Sequence, residues 1–160
     1  MALRHVRIDQ VAPSEGDAAG LARVRIADIG RALGSLNIGL AIQTVSPGGR
    51  SSRRHRHVFQ EEILLVMAGT GVLVHGDQRV PASPGDAFCY RPDDPEPHCF
   101  ENTATTELVI WAFGNRLAHE VCLYPDEGVA FVESLGADVK LAEAAPGEPP
   151  ASPTLRSGRT

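Results

Sequence analysis

Short segments of strand character, separated by turns rich in glycine and proline, follow one another from residue 21 to residue 124, and this constrains the fold more than any other feature of the chain. Residues 21–29 alternate apolar and polar side chains, as a half-exposed edge strand does. Residues 36–45 form a more apolar strand that stops at the turn cluster Ser46-Pro47-Gly48-Gly49. Strands are expected at 62–67 and 71–75, divided by Gly69-Thr70-Gly71, and the turn His75-Gly76-Asp77-Gln78 closes the second of them. Segments 78–80, 87–90, 98–102, 107–113 and 120–124 complete the series. Such a train of short strands predicts an all-β barrel or jelly roll rather than a helical fold.

Two clusters on this framework carry metal-ligand chemistry. The first runs from Gly49 over five residues to His55, one to His57, four to Glu62 and six to Gly69. The second reads Pro84-Gly85-Asp86, then eleven residues to His98 and three to Asn102. Side chains alternate along an extended strand, so His55 and His57 share one face while Arg56 points the other way. Two imidazoles on one face can share one ion. Glu62 opens the apolar run 63–67, where its carboxylate can swing back toward the pair. His98 comes from a distant strand, so bringing it to the other three requires a closed sheet. Three neutral imidazoles and one carboxylate suit a divalent first-row metal, with Zn, Fe, Mn, Ni and Cu all compatible. On an octahedral ion these four ligands leave two neighbouring positions open, enough for a substrate bound through two oxygens or for a substrate beside dioxygen.

The two clusters resemble, in order, the paired motifs of the cupin superfamily over about residues 35 to 115. The first fits at every fixed position. The second departs from the family pattern: where cupins commonly have a proline, a glycine and then the histidine, this chain has Arg91-Pro92-Asp93-Asp94-Pro95-Glu96-Pro97-His98, a longer acidic loop without the glycine. Asn102 stands at the family's distance after His98. The resemblance implies a single-domain cupin jelly roll, a double-stranded β-helix barrel, and the absence of an internal repeat points to one such unit rather than a tandem pair. It also implies a small-molecule substrate or ligand. The segment His119-Glu120-Val121-Cys122-Leu123-Tyr124-Pro125-Asp126 is similar to the closing segment of small bacterial cupins labelled sugar-phosphate isomerase-like, which makes isomerisation of a hydroxy-carbonyl compound one candidate reaction. No residue is assigned as its acid or base: Glu101 has the strand parity opposite to His98, and Glu96 lies in the loop.

A chain of 160 residues is expected to form one domain, read as an N-terminal arm over 1–20, a barrel over 21–140 and a disordered proline-rich tail over 145–160. A net charge of -5 argues against a nucleic-acid or anionic-membrane partner. The basic run from Arg50 to Arg56 is read as a solvated face; alternatively Arg53, which shares the parity of His55 and His57, leans over the site mouth and attracts a carboxylate or phosphate. The residues before the first strand are too few and too poor in helical period for a helix-turn-helix. The alternating N-terminal residues lead us to expect no signal peptide, no run is long enough for a membrane span, and the three cysteines lack metal spacing, so reduced thiols in the cytoplasm are expected. Cys99, next to His98, would face away from the ion.

Gln43, an amide inside an apolar strand that needs a partner if buried, is a candidate substrate contact with Arg53. Tyr90, Phe100 and Trp111 are candidates for which core packing is the alternative. His75 reads as a hairpin-turn residue, and His5 and His119 as surface. The second apolar face of segment 63–67, carrying Ile63, Leu65 and Met67, needs cover from the N-terminal strand or a second subunit, and a homodimer is expected. Together these features predict a metal-dependent enzyme acting on a small polar metabolite by Lewis-acid isomerisation or oxygenation. The alternative is a binding module that senses or stores a ligand without turning it over. A metal-free structural cupin is a third reading, opposed by the presence of all four ligand positions.

Overall fold

The structure is a computed structural model that describes residues 3–16, 23–92 and 94–141; the segment read as a tail, 145–160, lies outside them. Alternating burial along the chain builds three antiparallel sheets. The largest has the strand order β1 (Ser14–Gly16), β2 (Val24–Asp28), β3 (Ile38–Val45), β10 (Leu108–Asn115), β5 (Glu62–Ala68), β8 (Ala87–Tyr90). A second pairs β4 (Arg56–His57) with β11 (Val121–Tyr124), then β12 (Val129–Val132) and β13 (Ala137–Lys140). The third has β6 (Gly71–His75) between β7 (Gln78–Ala82) and β9 (His98–Glu101). Isolated bridges Arg50–Glu101 and His55–His98 stitch the second and third sheets into one wall opposite the first. The result is the double-stranded β-helix barrel.

Inward residues from both walls form one core. Val45, Leu108 and Ile110 from the large sheet and Phe100 from β9 are fully buried, and Val24, Val66 and Leu73 nearly so. Burying a side chain of this size contributes about 1.5–3 kcal/mol. Gly69 is required where β5 turns into β6: its φ is +74°, and a Cβ there would lie 2.1 Å from the Glu107 carbonyl oxygen. The ends of the two motifs meet in the backbone, with Asn102 N–H donating to Gly49 O at 2.9 Å and Gly48 N–H to Asn102 O at 2.9 Å.

Among the elements not anticipated from the sequence are a short 3-10 turn over Ile8–Gln10 and four others. All residues of β13 are exposed, so it has no hydrophobic period; β12 is a bare four-residue run; β1 is Ser-Glu-Gly, without strand propensity. The fourth, α1 (Ile29–Ala32), is one turn capped by Asp28, whose carboxylate accepts from the Arg31 N–H at 2.8 Å. One expectation is corrected. The N-terminal strand expected at 21–29, β2, lies in the same sheet as β5 with β3 and β10 between them and does not cover it, and the outward Ile63 and Met67 of β5 are 42% and 46% exposed. No helix among the described residues is long and apolar enough to cross a membrane.

Candidate metal centre

The ladder places the four candidate ligands before any side chain is considered. His55 and His98 exchange backbone hydrogen bonds, His55 N–H to His98 O at 3.0 Å and His98 N–H to His55 O at 2.7 Å, so their side chains share the inner face. His57 sits two residues on, opposite Cys122 of β11, and Glu62 starts β5. One ligand atom from each of His55, His57, Glu62 and His98 lies within 4.8 Å of all the others.

The hydrogen bonds of the His55 and His57 rings engage Nδ1 and leave Nε2 free. His55 Nδ1 donates to the Arg53 carbonyl at 2.8 Å, and His57 Nδ1 faces Glu120 Oε1 at 3.3 Å. A carbonyl or carboxylate behind the ring is the usual orienting partner of a metal-binding imidazole. His98 Nε2 is 3.1 Å and His57 Nε2 3.8 Å from Glu62 Oε2. His57 Nε2 is buried without a hydrogen-bond partner, a position that costs about 1–3 kcal/mol if left unsatisfied. A cation between the three rings and Glu62 would satisfy it, so these residues fit a metal ion. Tyr90 braces the group from behind, its ring stacked on His98 at 3.5 Å between centroids and 9° between planes.

Burial pushes His55 down to about 3, with His98 and His57 adding to the effect and outweighing Glu62 and the Arg53 carbonyl. Burial also lowers His98 despite its contact with Glu62. Burial opposes ionisation of Glu62 and Glu120, but the surrounding histidines hold Glu62 below its ordinary range, and His57 with the Val58 and Phe59 N–H groups does the same for Glu120. His57 is lowered by burial and raised more by Glu120 and Glu62. In the metal-free protein, His55 then contributes stability above its ordinary 6.5 that is lost as the pH falls toward about 3, because the unfolded chain takes up a proton the folded one refuses. Glu62 and Glu120 act in the same direction in the carboxylate range. His57 opposes them, its contribution being complete below 6.5 and lost as the pH rises through its folded value. The melting temperature of metal-free protein is therefore expected to fall between pH 6.5 and 4 in scanning calorimetry; a rise would contradict this assignment.

A cavity of about 310 Å³ opens beside the cluster, and a second of about 180 Å³ adjoins it, the two sharing Gln43, Gln60 and Glu62. Gln43 is thus on the cavity wall, inward on β3 opposite Ile110. Arg53 also lines the larger cavity, but its guanidinium is engaged by Glu127 and Asp138 and lies 3.5 Å over the Tyr124 ring. Phe100 lies in the core against Phe88, at 5.6 Å between centroids, and not on the cavity. Trp111 is corrected: it points outward from β10 between Ile42 and Leu65, because it has the parity opposite to the buried Ile110 and Ala112. His75 is also more than a turn residue. It pairs with His98 across the ladder, is half-buried, and its ring is 5.8 Å from that of Tyr90.

Sequence reasoning missed Glu120, Gln60 and Tyr124. Glu120 and Tyr124 share the parity of the buried Cys122, a period-2 signal that was available, whereas Gln60 lies in a connection without periodicity. The described residues of the acidic turn before His98 line neither cavity. The basic run is largely neutralised, with Arg50 paired to Glu101 and Arg54 to Asp126.

Two facing antiparallel walls with a His/His/Glu/His cluster between them define a double-stranded β-helix protein with a donor set able to hold a metal ion. Residues 41–113 match the family model described as "Cupin domain". Solved structures agree. A sugar phosphate isomerase from a cupin superfamily, of Silicibacter pomeroyi, is 26% identical with a TM-score of 0.72, over 79% of this chain and 84% of that one. A predicted oxalate decarboxylase of Thermotoga maritima is 26% identical with a TM-score of 0.58, over 71% and 99%. The polyketide cyclase RemF of Streptomyces resistomycificus, at 22% identity and a TM-score of 0.61 over 71% and 80%, shares the fold. No curated protein matches the sequence.

Proposed function

We propose that this protein is a metal-dependent enzyme that isomerises a small hydroxy-carbonyl compound in the cavity beside the cluster. The carrying observation is the convergence of His55, His57, Glu62 and His98 with the unpartnered, buried His57 Nε2 at their centre. The likeness to a structure described as a sugar phosphate isomerase supports the reaction class. A divalent ion held there, Zn, Fe, Mn, Ni or Cu, would polarise a bound carbonyl and lower the pKa of a bound hydroxyl. Glu120 and the Arg53 carbonyl orient the rings, and Gln43 and Gln60 face the substrate. Among the cavity carboxylates Glu62 is a ligand and Glu120 is committed to His57, whereas Glu133 makes no side-chain hydrogen bond or ion pair among the described residues. Movement of the substrate proton is assigned to Glu133.

Metal-loaded protein is to be assayed against hydroxy-aldehydes and hydroxy-ketones by proton NMR in deuterium oxide. Glu133→Gln is expected to lower kcat by about 100-fold or more with metal content unchanged. Oxygen uptake in place of isomerisation would assign oxygenation, and stoichiometric binding without product would assign the binding module.

The same reading includes a homodimer through the outer face of the large sheet, where Ile38, Ile63 and Met67 are 64%, 42% and 46% exposed beside Trp111. Exposed apolar patches of this kind mark association surfaces. Sedimentation is expected to give a dimer for wild type and a monomer for Ile63→Arg; a monomeric wild type would remove this element.

A further inference from the structure

Resting on the metal-enzyme reading above, we propose that the two-lobed cavity takes a neutral polyhydroxy or hydroxy-carbonyl compound and excludes its phosphate ester. Gripping a phosphoryl group away from the metal requires available cationic donors, above all bidentate guanidinium forks. Two guanidiniums line the lobes, Arg53 in the larger and Arg116 in the smaller, and no lysine lines either. Both are already engaged. Arg53 Nη1 is 2.8 Å from Glu127 Oε2 and 3.1 Å from Asp138 Oδ2, its Nη2 is 3.4 Å from Asp138 Oδ1, and its flat face rests on Tyr124. One guanidinium thus meets two carboxylates. Arg116 Nη2 is 2.7 Å from Asp28 Oδ1, and Asp28 itself lines the smaller lobe.

The remaining charge around the cavity is negative. Among the described residues Glu133, which lines the larger lobe, has no counter-ion, so a phosphate dianion entering there would meet carboxylates and no free cation of those residues. The groups left for a substrate are neutral. Gln43 and Gln60 stand where the lobes join, and neither carboxamide has a hydrogen-bond partner within the described residues. Each offers two donors and an acceptor, the complement of hydroxyl and carbonyl groups. This chain therefore differs in substrate charge from what the description of its Silicibacter pomeroyi neighbour would suggest.

Calorimetric titration with ribose and with ribose 5-phosphate, on protein whose metal content has been measured, tests the proposal. Wild type is expected to bind the ester no more tightly than the free sugar. Glu127→Gln combined with Asp138→Asn releases Arg53, and is expected to tighten ribose 5-phosphate by about ten-fold while leaving ribose within about two-fold. Ten-fold tighter binding of the ester by wild type, or a double variant with unchanged ester affinity, overturns it. If the double variant loses its hairpin, Arg53→Gln decides, since unchanged ester affinity upholds the proposal and a ten-fold loss overturns it. Protein without stoichiometric metal would sink the metal reading instead, and the charge comparison would then be decided on the metal-free protein.

Discussion

His57→Ala is expected to reduce bound metal to less than about a tenth of the wild-type level, measured by elemental analysis after expression in medium balanced for several transition metals. Removing one of four protein ligands would weaken any ion, but His57 has a wider role than one bond. Its Nδ1 ties Glu120 to the site, and Glu120 in turn accepts from the backbone N–H groups of Val58 at 3.0 Å and Phe59 at 3.1 Å. Truncation therefore strands a buried carboxylate, 4% exposed, next to the empty ligand position. Glu120→Gln should fall between the two, weakening metal binding by about 10–100-fold, because it leaves the ligand in place and removes only the charge that orients it. Equal metal in wild type and His57→Ala would mean that the four side chains converge for some other reason, and the enzymatic reading would give way to ligand binding alone.

Asn102→Ala is expected to cost about 3–5 kcal/mol in urea unfolding, a large part of the stability of a domain of this size. Asn102 is 1% exposed and makes three side-chain hydrogen bonds: Nδ2 donates to the carbonyls of Val45 and Thr106, both at 2.8 Å, and Oδ1 accepts from the Ala104 N–H at 3.0 Å. Alanine removes all three partners at once and leaves buried backbone groups unpaired. None of these bonds reaches a metal ligand, so the variant that remains folded at low temperature should keep its metal. A loss below about 1 kcal/mol would show that water replaces the amide without difficulty.

Much of this was legible in the sequence. The convergence of the four candidate ligands depends on spacing within one strand and on a motif-to-motif pairing, and both are properties of the chain itself. The facing of Trp111 was not legible, because residues 108–113 run Leu-Val-Ile-Trp-Ala-Phe and are apolar on both sides, so alternation could not say which side was inward. Glu120 was missed because its partner lies 63 residues away and its anchoring N–H groups belong to the backbone of another segment. The hairpin β12–β13 escaped because β13 buries nothing, and it is this hairpin that brings Asp138 to Arg53. An arginine's spacing shows where it sits but not whether it is free, since that depends on carboxylates supplied from elsewhere in the chain.

The paired backbone bonds between His55 and His98 have a consequence for how such a site can diverge. They fix the position of His98 from the strand beside it, independently of the connection that leads into it. The stretch 91–97 can therefore lengthen, shorten or change charge without displacing the His98 imidazole. In this barrel the approach to the centre and the centre itself are free to evolve as separate modules.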